Sequence, residues 1–595
     1  MFGTILISTF ICMIIWFVPQ LLSPNSVNAS LPWLFVGVVG NFLMISLLVY
    51  LGLPALVGPL GGFQFLWLPL LINFGASMII WAVKNDSRDD DINVHVIGTY
   101  ASGIALVLLF LIVSVIGMST TWGNGNAQAM ANFLPITVET EEMAVSNDAP
   151  ASYPDTDPAH IVMVEISVAR FKGSLAMGQG GQNLGAIYQP GDYTLQNINK
   201  HLYWIAPIVY QNVWSNLSNQ TSPGMIVVDA ENPDTDAFLK MEHPLRYFPG
   251  AYFGQYLQRY LYTHGYSNFK LVDPTLEVDD DWQPHYTVDI STYQRGLYGI
   301  AVQGILVINS ETGEITSYTL ADRPTWVDRV LPISAIDQNI DDYATYHTST
   351  WPRFLNLSGR GVEMRADDTT PIAYSTVEGS PVYQYIITSG STTDHSSTGV
   401  VLVDSNRYEA KRYPIRGMAV GSKVTEAFLN APENKKNNYP ITPPVLYKIF
   451  GRLTWVATYI TSSDQQAQYA MIGFLDAYNV NATNVVMAAT KEEALNNYQL
   501  WLANRPSNTG DPSQEAQGIS LTGQIAIIVS EVQNGYTTYY FTIEGKDTIF
   551  SVTPTDATGE IRFTVSGDKV SFTYLDLGNG KGAIKTFDNL GFPPH

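Results

Sequence analysis

The stretch Gly379-Ser-Pro-Val-Tyr-Gln-Tyr-Ile-Ile-Thr388 is followed, after a polar loop, by Gly399-Val-Val-Leu-Val-Asp404. This pair of segments is repeated later as Gly451-Arg-Leu-Thr-Trp-Val-Ala-Thr-Tyr-Ile-Thr461 and Ala470-Met-Ile-Gly-Phe-Leu-Asp476. Each copy has a run rich in β-branched and aromatic residues, a loop, and an apolar run that ends in Asp, a residue suited to turns. Each copy is therefore predicted to be an antiparallel β-hairpin.

The spacing is the same in both copies. The closing Asp stands 21 positions after Tyr383 in one copy and 21 positions after Trp455 in the other. Two looser copies precede them, namely Leu202-Tyr-Trp-Ile-Ala-Pro207 with Gly224-Met-Ile-Val-Val-Asp229, and His285-Tyr-Thr-Val-Asp-Ile290 with Gly304-Ile-Leu-Val-Ile-Asn309. A repeat on this scale indicates units that bury their cores against one another.

A short amphipathic stretch follows the third and fourth copies, and it is clearest at residues 490–502. Thr490 and Glu493 have the spacing of a capping box, which marks the start of a helix. The apolar residues behind them share one helical side; they are Ala494, Leu495, Tyr498, Trp501 and Leu502. The chain is therefore predicted to have an α+β fold of repeated antiparallel β-β-α units, whose aromatic residues pack in cores rather than form a ligand platform.

One of the looser copies carries a family resemblance. The stretch Gly304-Ile-Leu-Val-Ile-Asn-Ser-Glu-Thr-Gly-Glu-Ile315 resembles the strand, Asp/Asn-x-x-Thr-Gly-Glu, strand turn of PepSY-type domains, with the tight turn at Asn309 to Gly313. More broadly, residues 202–229 and the following hairpins are similar to the extracytoplasmic part of uncharacterised bacterial multi-span membrane proteins. The resemblance implies an extracytoplasmic location and no particular activity.

Four apolar stretches lie in the first 120 residues: Ile5 to Leu22, Leu31 to Leu53, Phe63 to Val83, and Val96 to Met118. Each is long enough to cross roughly 30 Å of hydrocarbon as a helix. Residues 1–120 are therefore predicted to form a four-helix transmembrane domain, with membrane lipid as a partner. No ionisable residue lies near the centre of a span, which argues against a transporter.

Orientation in the membrane depends on two basic residues, Lys84 and Arg88, which lie between the third and fourth spans. The positive-inside rule places that loop in the cytoplasm. The N-terminus and everything after about residue 119 are then outside, so the protein is predicted to be multi-pass in the cell membrane with its bulk extracytoplasmic. The apolar 52–62 loop is either a tight hairpin turn or partly re-entrant.

Changes in composition divide the rest of the chain. A linker is predicted at 121–158, followed by four α+β units at 159–270, 271–370 (the PepSY-like one), 371–440 and 441–504. Ile161 to Val168 is predicted to be a buried strand of the first unit. After a second linker, residues 517–595 are predicted to form an OB-like small β-barrel, with strands at 523–530, 536–543, 548–552, 561–565 and 569–574.

Candidate site residues are few. The run Asp279-Asp-Asp281 stands near other acidic residues and His285, so Asp279, Asp280 and Asp281 are either calcium ligands or a solvated acidic turn, and calcium is the only cofactor suggested. Residues 251–262 are predicted to be the principal helix on the sheet, and its Tyr256 and Tyr260 either pack there or meet a partner subunit. In the second span, Gly37 and Gly40 are small residues that permit close helix approach.

The composition excludes one class of function. The net charge is −22 and only one cysteine, Cys12, is present. An acidic chain of this kind lacks the basic patch that binds nucleic acid, and a single cysteine excludes an intrachain disulfide. No metalloprotease, nucleophile-elbow, Walker or Cys-x-x-Cys motif occurs in the sequence.

The sequence therefore favours a non-enzymatic, membrane-anchored surface protein that serves as a structural, assembly or partner-binding platform. A homo-oligomer is expected, and other envelope proteins are further candidate partners. Two alternatives stay open. The chain could be a subunit of an oligomeric membrane channel or transport accessory complex, or a cell-wall or glycan-acting enzyme, since two carboxylates placed in space suffice for the latter chemistry and the chain has 53 acidic residues.

Overall fold

A computed structural model describes most of the chain beyond residue 149. The described residues are 5–6, 8–13, 30–57, 69–73, 75, 108, 112, 115, 131–139, 149–180, 184–295, 298–329, 332–347, 363–366, 372–374, 381–390, 396–404, 406, 409–462, 466–503, 518–533, 536–552, 554, 558–578 and 580–592. The basic loop around Lys84 and Arg88 and the linker at 504–517 lie outside this set, as does most of the third and fourth predicted spans.

Among the described residues, helices lie between runs of consecutive strands. The α-helices are α1 (Ser30–Gly52), α2 (Ile166–Gln179), α3 (Leu184–Ile187), α4 (Val213–Ser218), α5 (Leu257–Leu261), α6 (Ile333–Tyr346), α7 (Ser422–Leu429) and α8 (Lys491–Ala503). Short 3₁₀ segments lie at Pro158–His160, Phe253–Gln255, Asn434–Lys436, Ala482–Asn484 and Gly559–Phe563, and a π-helical turn lies at Tyr262–Tyr266.

The strands form four open sheets and one barrel. The first two sheets contain β2 (Tyr188–Pro190), β3 (Thr194–Ile198), β4 (His201–Tyr210), β5 (Met225–Asp229) and β6 (Phe238–Lys240), then β7 (Lys270–Val278), β8 (Pro284–Arg295), β9 (Tyr298–Asn309) and β10 (Ile315–Tyr318). The third contains β1 (Ile136–Val138), β11 (Glu363–Arg365), β12 (Ile372–Tyr374), β13 (Pro381–Ser389), β14 (Ser397–Asp404) and β15 (Glu409–Tyr413). The fourth contains β16 (Val445–Ile449), β17 (Arg452–Ile460), β18 (Tyr469–Asp476) and β19 (Val486–Ala488).

All four predicted hairpins are confirmed, as β4–β5, β8–β9, β13–β14 and β17–β18. Each is the middle of its sheet, flanked on both sides by a further antiparallel strand. The part common to the four sheets is therefore four strands, to which the first sheet adds one strand and the third adds two. The predicted β-β-α unit omitted the two outer strands. These strands are mostly three to five residues long, too short to show a clear alternation in sequence.

The repeat extends to the register of the hairpins. Val382 lies opposite Asp404 and Thr454 lies opposite Asp476, so both hairpins pair residues with the same separation in sequence. Just past the fifth residue after these pairs, the second strand of each hairpin has a bulge with one extra residue, Thr398 in β14 and Ala470 in β18. Strand β9 has its bulge, at Gln303, at the same place relative to the His285–Asn309 pair. A conserved bulge position bends each sheet in the same way.

The residue that closes each hairpin fixes the turn after it. In every unit its side-chain oxygen accepts a hydrogen bond from the backbone N–H two residues later. The pairs are Asp229 with Glu231 (2.9 Å), Asn309 with Glu311 (3.1 Å), Asp404 with Asn406 (2.9 Å) and Asp476 with Tyr478 (3.0 Å). The predicted turn-forming role of these residues is confirmed.

Helices join successive sheets by packing on the next one. Ile336 and Ile340 of α6, which leaves the second sheet, pack against Tyr383 and Val401 of the third. In the same way α7 leaves the third sheet and packs on the fourth, where the Tyr459 hydroxyl donates to the Phe428 carbonyl at 2.9 Å. The units therefore form a continuous stack in which cores are shared between neighbours.

The predicted helix at 490–502 is confirmed as α8. The Thr490 hydroxyl accepts from the Glu493 N–H at 3.3 Å, which is the N-terminal half of a capping box. Tyr498 is fully buried on the fourth sheet, stacks on Phe474 at 5.7 Å and bonds the Thr454 hydroxyl at 2.9 Å.

Three other expectations are wrong. Residues 161–164 form no strand, and α2 begins at Ile166 with the Glu165 side chain as its N-cap. The segment 251–262 is not one long helix, since only Leu257–Leu261 is α-helical between a 3₁₀ and a π turn. The 121–158 segment is not merely a linker, because its strand β1 pairs in parallel with β15. In each case tertiary contacts override the local pattern.

The predicted C-terminal five-stranded barrel is confirmed. Its closed order is β20 (Ile519–Gln533), β21 (Tyr536–Ile543), β22 (Ile549–Val552), β24 (Lys581–Asn589) and β23 (Lys569–Gly578). One assignment is wrong: residues 559–563 form a 3₁₀ turn that buries Ile561 in the barrel. The missing strand is β24, whose Gly, Lys and Asp residues are poor strand formers.

The barrel is expected to fold alone as residues 517–595, because every residue of its buried core lies within it. An isolated fragment should give dispersed amide NMR signals. Phe550→Ala should cost about 3–5 kcal/mol and unfold much of it, because Phe550 is fully buried. Phe563→Ala is the matched control, since this side chain is 72% exposed. A disordered wild-type spectrum would show instead that the barrel needs α8, which contacts β24.

The helix α1 covers nearly all of the second predicted span. The side chains of residues 30–34 and 36 are not among those described. Within the described residues, no helix has both the length and the apolar character needed to cross a membrane.

Candidate functional site

A polar cavity of about 700 Å³ lies at one end of the third sheet. It is formed where β1, the C-terminal end of α6, β11, the start of β14 and the segment after β15 come together. The charged and aromatic residues of its lining are Glu139, Tyr343, His347, Glu363, Arg412 and Arg416. Such a concave site with a few convergent polar groups is the usual form of a ligand-binding site.

Arg412 is the centre of the cavity wall. Its guanidinium donates to both oxygens of Glu363, each at 3.0 Å, and also to the Tyr343 hydroxyl at 3.2 Å. The Arg412 side chain is 10% exposed and that of Glu363 is 14% exposed. A bidentate pair of this kind fixes both side chains in a single geometry.

His347 extends this network through both nitrogens of its ring. Its ring stacks on Tyr343 at 4.4 Å, and its Nδ1 lies 2.7 Å from the Tyr343 carbonyl. A carbonyl only accepts, so Nδ1 carries a proton. Nε2 lies 3.0 Å from Arg412 and 3.1 Å from Glu363. This nitrogen is therefore within hydrogen-bond distance of both members of the ion pair.

The network keeps Glu363 ionised. Burial raises the pKa of its carboxyl, but hydrogen bonds from His347, Arg412 and Thr398 and the charge of Arg412 outweigh burial and lower the pKa to about 2. Glu363 is therefore a carboxylate at neutral pH and cannot serve there as a proton donor. The cavity is better suited to recognition of a polar ligand than to acid catalysis.

The mouth of the cavity carries charges of both signs. Arg416 and Gly417 are exposed, and Glu139 is partly exposed. Ser397 turns its hydroxyl inward to the Ile415 carbonyl at 2.8 Å and so supports the wall rather than the mouth. A ligand entering here meets a cation and a carboxylate, which favours a neutral polar or zwitterionic molecule.

Sequence reasoning missed this site. Its residues are scattered from position 139 to position 416 and match no motif. His347 is one of nine histidines, and nothing in its neighbourhood marks it. Only the fold brings β1, α6 and β15 to the same end of one sheet.

A second polar cluster is buried where the first three sheets meet. Its carboxyl groups are Glu277 on β7, Asp289 on β8 and Asp328 in the segment before α6. Burial raises the pKa of Glu277 to about 7 and that of Asp328 to about 8, and it raises the pKa of Asp289 as well. The positive charge of Arg329 acts on all three carboxyl groups and opposes these increases.

Residues from three units contact one another in this cluster. The Thr287 hydroxyl and the Asp328 N–H donate to the two oxygens of Glu277 at 2.8 and 2.9 Å. Asp328 in turn accepts from the Asn197 N–H of the first sheet at 2.7 Å. Arg329 reaches Tyr383 of the third sheet. The cluster therefore holds adjacent units together, and its ionisation affects their packing.

The calcium candidates do not converge in the described structure. One oxygen of Asp279 accepts from the N–H groups of Asp281 and Gln283 at 3.0 and 2.8 Å, and the other lies 3.2 Å from His285. Asp280 and Asp281 are exposed. Among the described residues, no group of three or more His, Cys, Asp or Glu side chains is arranged to hold a metal ion. The arrangement is that of an acidic turn.

The tyrosine candidates have contacts within the chain. The ring of Tyr260 packs at a tilt against that of Tyr247, with 4.3 Å between ring centroids, and its hydroxyl donates to the Gly313 carbonyl at 2.9 Å. The ring of Tyr256 lies 5.4 Å from the Arg259 guanidinium. Tyr260 thus packs against the second unit, as one of the two sequence alternatives expected.

The two glycine candidates of α1 differ in exposure. Gly37 is buried, and its carbonyl accepts from the Asn41 side chain at 2.9 Å. Gly40 is exposed, and a methyl group added to it would meet no atom within 4 Å. Only Gly40 is therefore open to approach from another molecule.

The repeats are docked on the C-terminal end of α1. The Arg259 guanidinium stacks on the Tyr50 ring at 4.0 Å and donates to the Tyr50 carbonyl at 3.1 and 3.2 Å. Just beyond, the Tyr262 hydroxyl donates to the Pro54 carbonyl at 3.1 Å. The polar backbone of the apolar 52–57 segment is thus partly satisfied by the first unit.

In comparisons with known proteins, no family model matches the chain and no curated protein matches it.

Proposed function

We propose that the chain is a multi-pass membrane-anchored surface protein whose extracytoplasmic repeats form a rigid partner-binding platform. The observation that carries the proposal is the inverted face of α1. Its exposed side is apolar, with Phe35 at 69%, Leu43 at 61% and Leu51 at 65% exposed, whereas its Asn41 is buried. A helix in water has the opposite arrangement, and an exposed apolar face of this size marks a membrane or protein contact.

The buried side of α1 supports the same interpretation. The Asn73 amide donates to the Asn41 side-chain oxygen at 2.6 Å, and these residues lie at the middles of the second and third predicted spans. Amide pairs of this kind join helices where no water is present to satisfy them. The sequence analysis looked only for ionisable residues in the predicted spans, so it did not find these two asparagines.

The docking contacts support the predicted topology. The loop after α1 and the chain beyond residue 119 are both predicted to be outside, with two spans between them. The hydrogen bonds from Arg259 and Tyr262 to residues 50 and 54 require these parts to be on one side. They also hold the repeats firmly on the anchor, as a platform requires.

The cavity supports binding as the purpose of the platform. Its carboxylate is held ionised by Arg412, and a glycan-acting enzyme needs a protonated acid beside its second carboxylate. The order of the barrel strands, with β22 and β24 parallel, is what an OB-like barrel requires and adds a second ligand-binding fold. The open face at Gly40 supports the expected homo-oligomer, in which a second copy or another envelope protein lies against α1.

Cysteine labelling in intact cells tests the proposal. In a Cys12→Ala background, Glu311→Cys, in an exposed turn of the second unit, should react with a membrane-impermeant maleimide. Asp90→Cys, in the loop predicted to be cytoplasmic, is the matched control and should react only after permeabilisation. If position 90 reacts in intact cells and position 311 does not, the proposed topology is reversed. If alkaline carbonate releases the protein from the membrane, the proposal of a transmembrane anchor is wrong.

A further inference from the structure

Large apolar side chains are exposed at one end of the first unit. Trp214 and Leu217, on α4, are 73% and 58% exposed, and they lie three residues apart on one helical face. Tyr252 and Phe253, in the segment before α5, are also exposed. Side chains this large and apolar, gathered in two neighbouring segments, are unusual on a surface that faces only water.

Hydrogen bonds hold the two segments together as one surface. Asn216, on the opposite side of α4, is buried and donates to the Gln255 side chain at 3.1 Å. Its oxygen accepts from the Tyr252 N–H at 3.2 Å. Gln255 donates in turn to the Gln220 carbonyl at 2.9 Å. The apolar side chains are therefore presented together on a fixed backbone.

The backbone of Phe253 is strained. Its φ is +53°, in the left-handed region that a bulky residue rarely adopts. The arrangement leaves half of the phenyl ring outside the protein. Strain of this kind is often found where a side chain is positioned for a contact.

This surface is continuous with the C-terminal end of α1. The Phe253 carbonyl accepts from one nitrogen of the Arg259 guanidinium at 2.8 Å, while the other nitrogens donate to the Tyr50 carbonyl. A single side chain thus joins the exposed segment to the last turns of α1. The exposed surface lies beside the level at which α1 ends.

We infer that Trp214, Leu217, Tyr252 and Phe253 form a second contact with the bilayer, in the interfacial layer of the membrane that α1 crosses. The inference rests on the proposed membrane anchor. Trp and Tyr side chains favour this layer because one end of each is apolar and the other polar. Arg259 suits the same position, since its stem can lie along apolar groups while its charge stays in the polar region.

The contact would set the tilt of the platform. The docking of Arg259 on Tyr50 fixes one point of the first unit on the anchor, and a unit held at one point can rock about it. A second point in the lipid surface removes that freedom and presents the stacked repeats at a constant angle.

Spin labels on the full chain in lipid vesicles test the inference. In a Cys12→Ala background, labels are placed one at a time by Trp214→Cys and Phe253→Cys. Leu47→Cys, on the exposed face of α1, is the reference for a label in lipid. Phe563→Cys, on the barrel, is the reference for an exposed label in water. The readout is the ratio of collision rates with oxygen, which concentrates in lipid, and with a water-soluble nickel chelate.

The expected result is an oxygen-to-nickel ratio at positions 214 and 253 several-fold above that at 563, approaching the ratio at 47. Ratios at 214 and 253 equal to that at 563, with a high ratio at 47, would overturn this inference and leave the anchor intact. A low ratio at 47 as well would overturn the anchor and the inference with it. Matching circular dichroism melts of the labelled variants exclude misfolding as the cause.

Discussion

The repeat region is expected to lose stability as the pH rises from about 4.5 to about 8, and Glu277→Gln is expected to remove much of that loss. Burial raises the pKa of Glu277 from 4.5 to about 7 and that of Asp328 from 3.8 to about 8. An acid with a raised pKa in the folded state contributes its full stability below the pKa of the unfolded chain. That contribution is lost as the pH rises through the folded pKa.

The size of the effect follows from the pKa of Glu277. The difference between 4.5 and about 7 corresponds to roughly 3 kcal/mol. The other groups that face this cluster are Asp273, Asp280, Asp289, Asp328, Arg329 and Tyr383. Asp289 and Asp328 change stability in the same direction as Glu277, so the variant should flatten the pH dependence without abolishing it.

Glutamine fits the site of Glu277. Its oxygen can keep the bond from the Asp328 N–H, and its amide can donate to the Thr287 hydroxyl. That hydroxyl is then free to donate to the Thr275 carbonyl, which lies 3.4 Å away. The substitution therefore removes the charge and leaves no buried group unpaired.

Urea unfolding of the full chain in detergent, followed by tryptophan fluorescence at pH 5, 6.5 and 8, measures this effect. Glu311→Gln, at an exposed acid in the turn after β9 of the same unit, should reproduce the wild-type pH dependence. A wild-type midpoint that holds steady or rises across this range would contradict the prediction. So would a Glu277→Gln variant that declines as steeply as the wild type.

Arg412→Ala is expected to destabilise the third unit by about 3–5 kcal/mol, because it leaves the Glu363 carboxylate buried without its partner. Arg412→Lys should cost less, since it keeps the charge and loses the bidentate geometry. Exchanging both members for apolar residues of similar size, Arg412→Met with Glu363→Leu, should cost less than Arg412→Ala alone.

The pH dependence of this pair has the opposite sign. The pKa of Glu363 is lowered to about 2, so its stabilising contribution is present above the ordinary pKa of 4.5 and is lost as the pH falls toward 2. Arg412→Ala should therefore weaken the acid sensitivity of the fold as well as its stability. Urea midpoints between pH 2.5 and 5 measure both, and an Arg412→Ala protein as stable as the wild type would contradict the pairing.

The parts of the fold that sequence predicted are those with strong local patterns. The hairpin containing Tyr383 and the one containing Trp455 consist of runs rich in β-branched, aromatic and other apolar residues. Their closing Asp residues make turns with their own neighbours. The helix at 490–502 combines a cap with an apolar side. Each of these signals comes from interactions within a few residues, so it is present in the sequence before any tertiary contact forms.

Short or mixed elements could not be predicted in this way. Outer strands such as β6 and β19 have three residues each and depend on the hairpin beside them for their backbone bonds. Strand β24 closes the barrel although its composition is unfavourable, and Ile561 lies in a 3₁₀ turn although its segment alternates like a strand. In these cases the pairing partner, rather than the segment itself, determines the conformation.

The sequence by itself determined the repeated hairpins, their turns, the helix α8 and the five-stranded barrel, because periodic side chains and turn residues act locally. Only the tertiary structure decided the chemistry of the candidate sites. Glu277, Asp279 and Glu363 are all acidic residues in the sequence. Burial raises the pKa of Glu277, whereas hydrogen bonds from His347 and Arg412 lower that of Glu363. Backbone N–H groups donate hydrogen bonds to the Asp279 carboxylate. The difference is physical: a carboxyl group takes its properties from its solvent exposure and its partners, and those come from distant parts of the chain.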